Sequence, residues 1–76
     1  MSKLRKISGK KCVKVLCNRF GFHYVRQKGS HSILKKETPL GERGTVVPNH
    51  SELKIGTLKG ILKLAEVDEK EFSIFL

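Results

Sequence analysis

The chain has 76 residues, enough for one domain, and a chain of this size leaves too little interior for a deep enzyme cleft. Lys and Arg number 16 against 7 acidic residues, and the formal charge of +9 favours a polyanionic partner such as nucleic acid. The helical stretches are too short for a basic membrane-surface helix, and no apolar run approaches the roughly 20 residues of a membrane span. We therefore expect a nucleic-acid partner and no membrane.

The two cysteines are interpreted as small core residues. Cys12 and Cys17 lie five residues apart on a predicted helix and point in directions too different to share a disulfide or a metal. The N-terminal segment is basic, but no apolar run of signal-peptide length follows it. We therefore expect a cytosolic protein.

The first predicted element is an amphipathic helix. Ser8 suits its N-cap and Gly21 its C-terminal stop. Between them, apolar residues recur at helical spacing. They are Cys12, Val13, Leu16, Cys17 and Phe20.

Two extended runs follow, from Phe22 to Lys28 and from His31 to Lys36, separated only by Gly29-Ser30. A two-residue loop with Gly first is typical of a type II′ hairpin, in which Lys28 lies directly opposite His31. Strict alternation then gives one face to Tyr24, Arg26, Lys28, His31, Ile33 and Lys35. The other face takes Val25 and Leu34, with His23, Gln27, Ser32 and Lys36 towards its margins, and can meet helices.

The region after the hairpin predicts a loop and a third strand. Pro39 and Gly41 place the loop over residues 37–43, and the strand runs from Gly44 to Pro48, which ends it. Three consecutive strands predict an antiparallel meander.

Two helices complete the predicted fold. The spacing of Leu58, Ile61, Leu62 and Ala65 predicts a helix from about Ile55 to Glu66, in which Gly60 allows close packing. Asp68 and Glu71 have capping-box spacing and predict a short terminal helix. The apolar end at residues 74–76 should dock on the core or on a partner. The fold class is therefore α+β, α-β-β-β-α, with helices on one face of a three-stranded antiparallel sheet and the open face as the place for function.

Several short motifs occur together along this chain. They are Ser8-Gly9-Lys10, Gly21-Phe22, Arg26-Gln27, Gly29-Ser30-His31, Val47-Pro48 with His50, Gly56-Thr57-Leu58 and Ile61-Leu62. In this order and spacing, from Ser8 to about Phe72, the chain resembles the HicA-type mRNA interferase toxins (HicA/YcfA-like family). The resemblance implies a double-stranded-RNA-binding-domain-like fold, with residues 1–76 as a single HicA-like domain. It also implies ribosome-independent cleavage of messenger RNA, a HicB-type antitoxin that covers the active face, and His31 as the essential histidine.

The chemistry of RNA cleavage agrees with this assignment. RNA carries its own nucleophile, the 2′-hydroxyl, so a nuclease can work with a proton carrier and cations beside the phosphate. An imidazole can hold or release a proton near neutral pH, and His31 is therefore the candidate general acid or base. We expect the RNA-binding residues to be Tyr24, Arg26, Lys28, Ser30 and Lys35. No metal-ligand spacing and no nucleotide loop is seen, so we expect no metal and no cofactor.

Some roles stay open at this point. Arg26, Lys28 and Lys35 could form a solvated basic face as readily as phosphate contacts, and Tyr24 could stack on an unpaired base or simply suit a strand. His50 could be a second proton carrier, although a structural role in its loop is favoured. Ser30 is interpreted as a turn residue and not as a nucleophile, and His23 as a surface residue. The alternative function is a non-catalytic RNA-binding module, which has the same charge and fold but does not cut.

Overall fold

A computed structural model describes residues 4–76, and residues 1–3, which begin the basic N-terminal segment, lie outside the described residues. Its elements are α1 (Gly9–Arg19), β1 (His23–Lys28), β2 (His31–Thr38), β3 (Gly41–Pro48), α2 (Ile55–Ala65) and α3 (Glu69–Ser73). The predicted α-β-β-β-α order with a terminal helical turn is confirmed, as is the α+β fold resembling a double-stranded-RNA-binding domain.

Helix α1 begins and ends where its local signals predict. The Ser8 hydroxyl accepts a hydrogen bond from the Lys11 N–H at 3.0 Å, which satisfies one of the free N–H groups of the first turn. Gly21 follows the helix with a φ of +76°, a conformation that favours glycine. Cys12 and Leu16 are fully buried, and Val15, which the predicted apolar set omitted, is also buried.

The start of α1 lies against the end of β3. The Gly9 N–H donates to the His50 carbonyl at 2.9 Å, and a Cβ added at Gly9 would lie 2.1 Å from the carbonyl oxygen of Pro48. The close approach therefore occurs at Gly9. The prediction that Gly60 allows close packing is wrong, because a Cβ added there would have no neighbour within 4 Å among the described residues.

The sheet is an antiparallel meander in the order β1-β2-β3. Strands β2 and β3 pair from His31 opposite Pro48 to Thr38 opposite Gly41. The predicted loop over residues 37–43 is therefore too long, and β3 begins three residues before Gly44. Polar residues occupy both faces at this end, so alternation gives no signal there, whereas the Thr38 hydroxyl closes the turn by donating to the Gly41 carbonyl at 2.6 Å.

The core lies between one face of the sheet and the helices. Helix α1 packs on β1 and β3, and α2 packs on β3. Leu34 and Val47 are fully buried on the inner face of the sheet, and the Thr45 hydroxyl donates to the Ile61 carbonyl at 2.8 Å. The described residues leave the opposite face of the sheet open, as predicted.

The terminal helix closes the core as its sequence predicts. The Asp68 carboxylate accepts from the Glu71 N–H at 3.0 Å, and Phe72 is fully buried. Phe75 makes an edge contact with Phe20 at a centroid distance of 5.8 Å, while Ile74 stays exposed, so the apolar end docks only in part. Among residues 4–76, no helix combines the length and apolar character needed to cross a bilayer.

Candidate active site

The tip of the β1–β2 hairpin is fixed by its own hydrogen bonds. Gly29 has a φ of +60°, as the first position of a type II′ turn requires, and the Gln27 side chain donates to its carbonyl at 3.0 Å. The backbone N–H of Asn49 donates to the Ser30 carbonyl at 2.7 Å and ties the loop after β3 to the tip. Ser30 thus has a structural role through its backbone, in agreement with its interpretation as a turn residue.

His31 opens β2 on the open face of the sheet. Its neighbour Ser32 is buried on the inner face, and the alternation of side chains turns the exposed His31 the other way. In the observed register, His31 lies opposite Lys28 on one side and Pro48 on the other. Directly opposed residues of an antiparallel pair have Cβ atoms about 4.5–5.5 Å apart, so the Lys28 ammonium can reach any phosphate that contacts the imidazole.

Arg26 completes a cationic group around this imidazole. It lies opposite Ile33, two residues from Lys28 along β1, and all of these residues share the open face. Both cations are exposed and neither takes part in an ion pair among the described residues. The predicted grouping of Arg26, Lys28 and His31 is therefore present in the structure.

Lys35 lies on the same face but away from the hairpin tip. It is opposite Gly44 in β3 and its ammonium pairs with the Glu42 carboxylate at 3.3 Å. The Glu42 carboxylate neutralises the positive charge of Lys35, which would otherwise attract a phosphate. The structure therefore separates Lys35 from the cations beside His31.

The prediction that Tyr24 shares a face with His31 is wrong. The pairing of β1 with β2 shifts between Tyr24 and Arg26, and this bulge at Val25 reverses the alternation of the residues before it. Tyr24 consequently lies opposite the buried Leu34, on the helix side of the sheet, and the same shift moves His23 to the open face opposite Lys35. Sequence alternation alone contains no signal for such a bulge.

His50 lies on the helix side, apart from His31. Its carbonyl accepts the Gly9 N–H, and its side chain lines a groove together with Tyr24 and Lys10. The favoured structural role in the loop has support from this backbone bond. Asn49, which sequence reasoning missed, bonds to the hydroxyl of Ser32 at 2.8 Å across 17 residues, a separation that no local pattern reveals.

The thiols do not offer a nucleophile. Burial raises the pKa of Cys12 to about 12, and burial also raises the pKa of Cys17 above its ordinary value. Both cysteines therefore stay protonated near neutral pH and act as small apolar residues, as predicted. Within residues 4–76, no three His, Cys, Asp or Glu side chains are arranged to hold a metal ion.

Comparison with known proteins gives a family match. The family model described as the HicA toxin of bacterial toxin–antitoxin systems matches residues 9–67, well over half of the chain. That range contains the hairpin, the loop after β3 and both long helices. No curated protein and no solved structure gives a significant match.

Proposed function

The chain belongs to the HicA family of toxins of bacterial toxin–antitoxin systems, and on that premise we propose that it is an endoribonuclease that cleaves messenger RNA with His31 as its proton carrier. The observation that supports this proposal is the exposed imidazole of His31 at the hairpin tip, directly opposite Lys28. Arg26 lies two residues before Lys28 in β1. Residues 1–76 act as one domain in this proposal.

The proposed reaction is an internal transfer at phosphorus. His31 accepts the proton of the 2′-hydroxyl while the 2′-oxygen bonds to the adjacent phosphorus. The bond from phosphorus to the 5′-oxygen then breaks. Water supplies the proton to the departing oxygen, which leaves a 2′,3′-cyclic phosphate and a 5′-hydroxyl end. Lys28 contacts the phosphate as a point charge and Arg26 through its planar guanidinium, and both offset the charge that develops on the phosphate oxygens.

The proposed partner is a HicB-type antitoxin. An inhibitor of this site has to bury His31, and carboxylates are the groups that would pair with Arg26 and Lys28. Long-range attraction to a chain of formal charge +9 would make the association fast and sensitive to salt. The proposed place of action is the cytoplasm, where a bacterium holds its messenger RNA.

The alternative is a non-catalytic RNA-binding module with the same charged face. Both functions predict affinity for RNA that falls with salt, so binding alone does not separate them. Cleavage separates them.

The test compares the unmodified chain with two histidine variants on a single-stranded RNA in the presence of a metal chelator. Loss of general acid–base assistance in His31→Ala should lower the cleavage rate by about 10²- to 10⁴-fold while RNA affinity is retained. His23→Ala is the matched control, because His23 is an exposed histidine on the same face at the other end of β1. It should cut at the normal rate.

Two further readouts address the mechanism. The 3′ ends of the products should carry a cyclic phosphate, and a single 2′-deoxy nucleotide at the cleaved position should block cutting there. Equal cutting by the unmodified chain and His31→Ala would assign the activity to another residue or to a contaminant. RNA binding without cleavage by the unmodified chain would favour the non-catalytic module.

A further inference from the structure

A groove runs along the helix side of the hairpin, between β1, the start of α1 and the loop after β3. It has a volume of about 700 Å³, within the range of small-ligand sites. Its lining includes Lys10, Tyr24, Gln27, Ser32, Asn49 and His50, and we call it the Tyr24 groove. We propose that the Tyr24 groove binds an unpaired base close to the cleaved phosphate in the same RNA strand, an inference that rests on the proposed function.

Tyr24 provides a surface on which a base can stack. The bulge at Val25 turns Tyr24 to the groove side, where the residue is about half exposed and the apolar Val13 also lines the groove. An aromatic ring beside an apolar wall is the usual receptor for an unstacked base, and every base offers a planar face to it. A base that remains paired in a helix cannot enter such a site, so the groove selects single-stranded RNA.

Two amide side chains in the groove are held in fixed orientations. The hydroxyl of Ser32, a residue only 5% exposed, donates to Oδ1 of Asn49 at 2.8 Å and leaves the Nδ2 group of Asn49 as a donor. The Gln27 amide donates through Nε2 to the Gly29 carbonyl and leaves Oε1 as an acceptor. The residues that line the groove therefore offer one amide donor and one amide acceptor, which is the chemistry that reads the edge of a base.

Charge and position favour a nucleotide over other occupants. Among the described residues that line the groove, none is acidic, whereas Lys10 and His50 are basic residues. The Asn49–Ser30 hydrogen bond joins the groove to the hairpin tip, and Ser32 follows His31 directly in β2. An RNA strand whose phosphate contacts Lys28 on the open face can therefore pass around the tip and place a nearby unpaired base in the groove.

The chain offers a direct readout of this proposal. Tyr24 is the single tyrosine of a sequence without tryptophan, so the intrinsic tyrosine fluorescence reports on this residue alone. The probe is a short single-stranded RNA titrated into His31→Ala, which should cut it too slowly to disturb the titration. A matched RNA with an abasic nucleotide at each position supplies the same phosphates without bases, and fluorescence anisotropy of an end label measures binding of both.

We expect saturable quenching of the tyrosine signal by the RNA that carries bases, and no quenching by the abasic RNA at equal occupancy. Tyr24→Leu should bind the base-carrying RNA about 10-fold more weakly, whereas Tyr24→Phe should bind it normally, because a phenyl ring still stacks. In the chain with His31 intact, Tyr24→Leu should also change which nucleotides flank the cleaved bonds.

The possible failures are distinct. RNA that binds without quenching, or abasic RNA that quenches equally, overturns the groove as a base site and leaves cleavage by His31 untouched. A tyrosine signal that responds to an acidic antitoxin protein and not to RNA also overturns it and assigns the groove to a protein partner. Absence of both RNA binding and cleavage by the unmodified chain overturns the proposed function together with this inference.

Discussion

Lys28 is the residue beside His31 for which a catalytic contribution can be separated from simple attraction. If its ammonium acts on the transition state, Lys28→Ala should lower kcat about 10-fold or more and change RNA affinity much less. Lys35→Ala is the matched control, since it removes the same charge from the same face, but that charge is already paired with Glu42 at 3.3 Å. Single-turnover cleavage and equilibrium binding of both variants measure the two effects.

A similar loss of rate in Lys28→Ala and Lys35→Ala would show that only the general field of the protein matters. If Lys28→Ala changed RNA affinity alone, Lys28 would only contact the RNA phosphate backbone and would not act on the transition state. Neither result would alter the role proposed for His31.

The buried Cys12 makes stability depend on alkaline pH. Its pKa rises from 9.0 to about 12 on folding, so between these values the unfolded chain loses the thiol proton while the folded chain keeps it. Folding stability therefore falls as pH rises through this window, by up to about 1.4 kcal/mol per pH unit. Chemical unfolding at pH 7, 9 and 11 should show that the stability difference between the unmodified chain and Cys12→Ala is constant up to about pH 9 and declines above it. A difference that stays constant to pH 11 would contradict this account.

At the scale of elements, the contact between α1 and β3 depends on the absence of a side chain at Gly9. Gly9→Ala would place a Cβ 2.1 Å from the Pro48 carbonyl oxygen, and a backbone atom cannot move aside cheaply. We expect a loss of about 1–3 kcal/mol in the free energy of unfolding, measured by denaturant titration.

Gly60→Ala is the matched control for this substitution. A Cβ at Gly60 meets no neighbour within 4 Å among residues 4–76, and alanine favours the helical backbone. This variant should gain about 0.5–1 kcal/mol. Equal stability of the two variants would show that the α1–β3 junction adjusts to the extra carbon.

The elements that the sequence predicts well are those with strong local signals. Helical spacing and a capping serine define α1, and Gly29-Ser30 defines the register that places Lys28 opposite His31. Periodicity could not reveal the bulge at Val25, because a bulge changes the partner of a residue without changing its type. One extra residue thereby moved Tyr24 from the predicted active face to a groove on the other side of the sheet.

The tight turn at residues 39–40 was missed for a related reason. The ends of β2 and β3 carry polar side chains that remain partly in water, so no apolar alternation marks them as strands. Their pairing is maintained by backbone hydrogen bonds and by the Thr38 hydroxyl. Likewise, the Ser32–Asn49 bond joins residues that only the folded topology brings together.

At the scale of the whole molecule, the charge of +9 should govern RNA affinity. If Lys10, Arg26 and Lys28 each neutralise one phosphate, the logarithm of the binding constant should fall against the logarithm of salt with a slope of about −2. Titrations of His31→Ala with a single-stranded RNA between low and moderate salt test this. An uncharged nucleic-acid analogue of the same sequence is the control and should bind weakly at every salt concentration. A slope near zero for RNA would contradict an interface based on phosphate contacts.

All six residues of β1 are exposed, so the strand that supplies Arg26 and Lys28 contributes no side chain to the packed interior. If these cations act as proposed, a substitution there lowers activity and leaves the folded protein intact. A host under pressure from the toxin could thus be relieved by one mutational step, although the loss of Arg26 or Lys28 would also weaken the proposed pairing with antitoxin carboxylates. Natural selection against toxicity is consequently expected to act on exposed positions such as these and His31, and to spare the residues that maintain the fold.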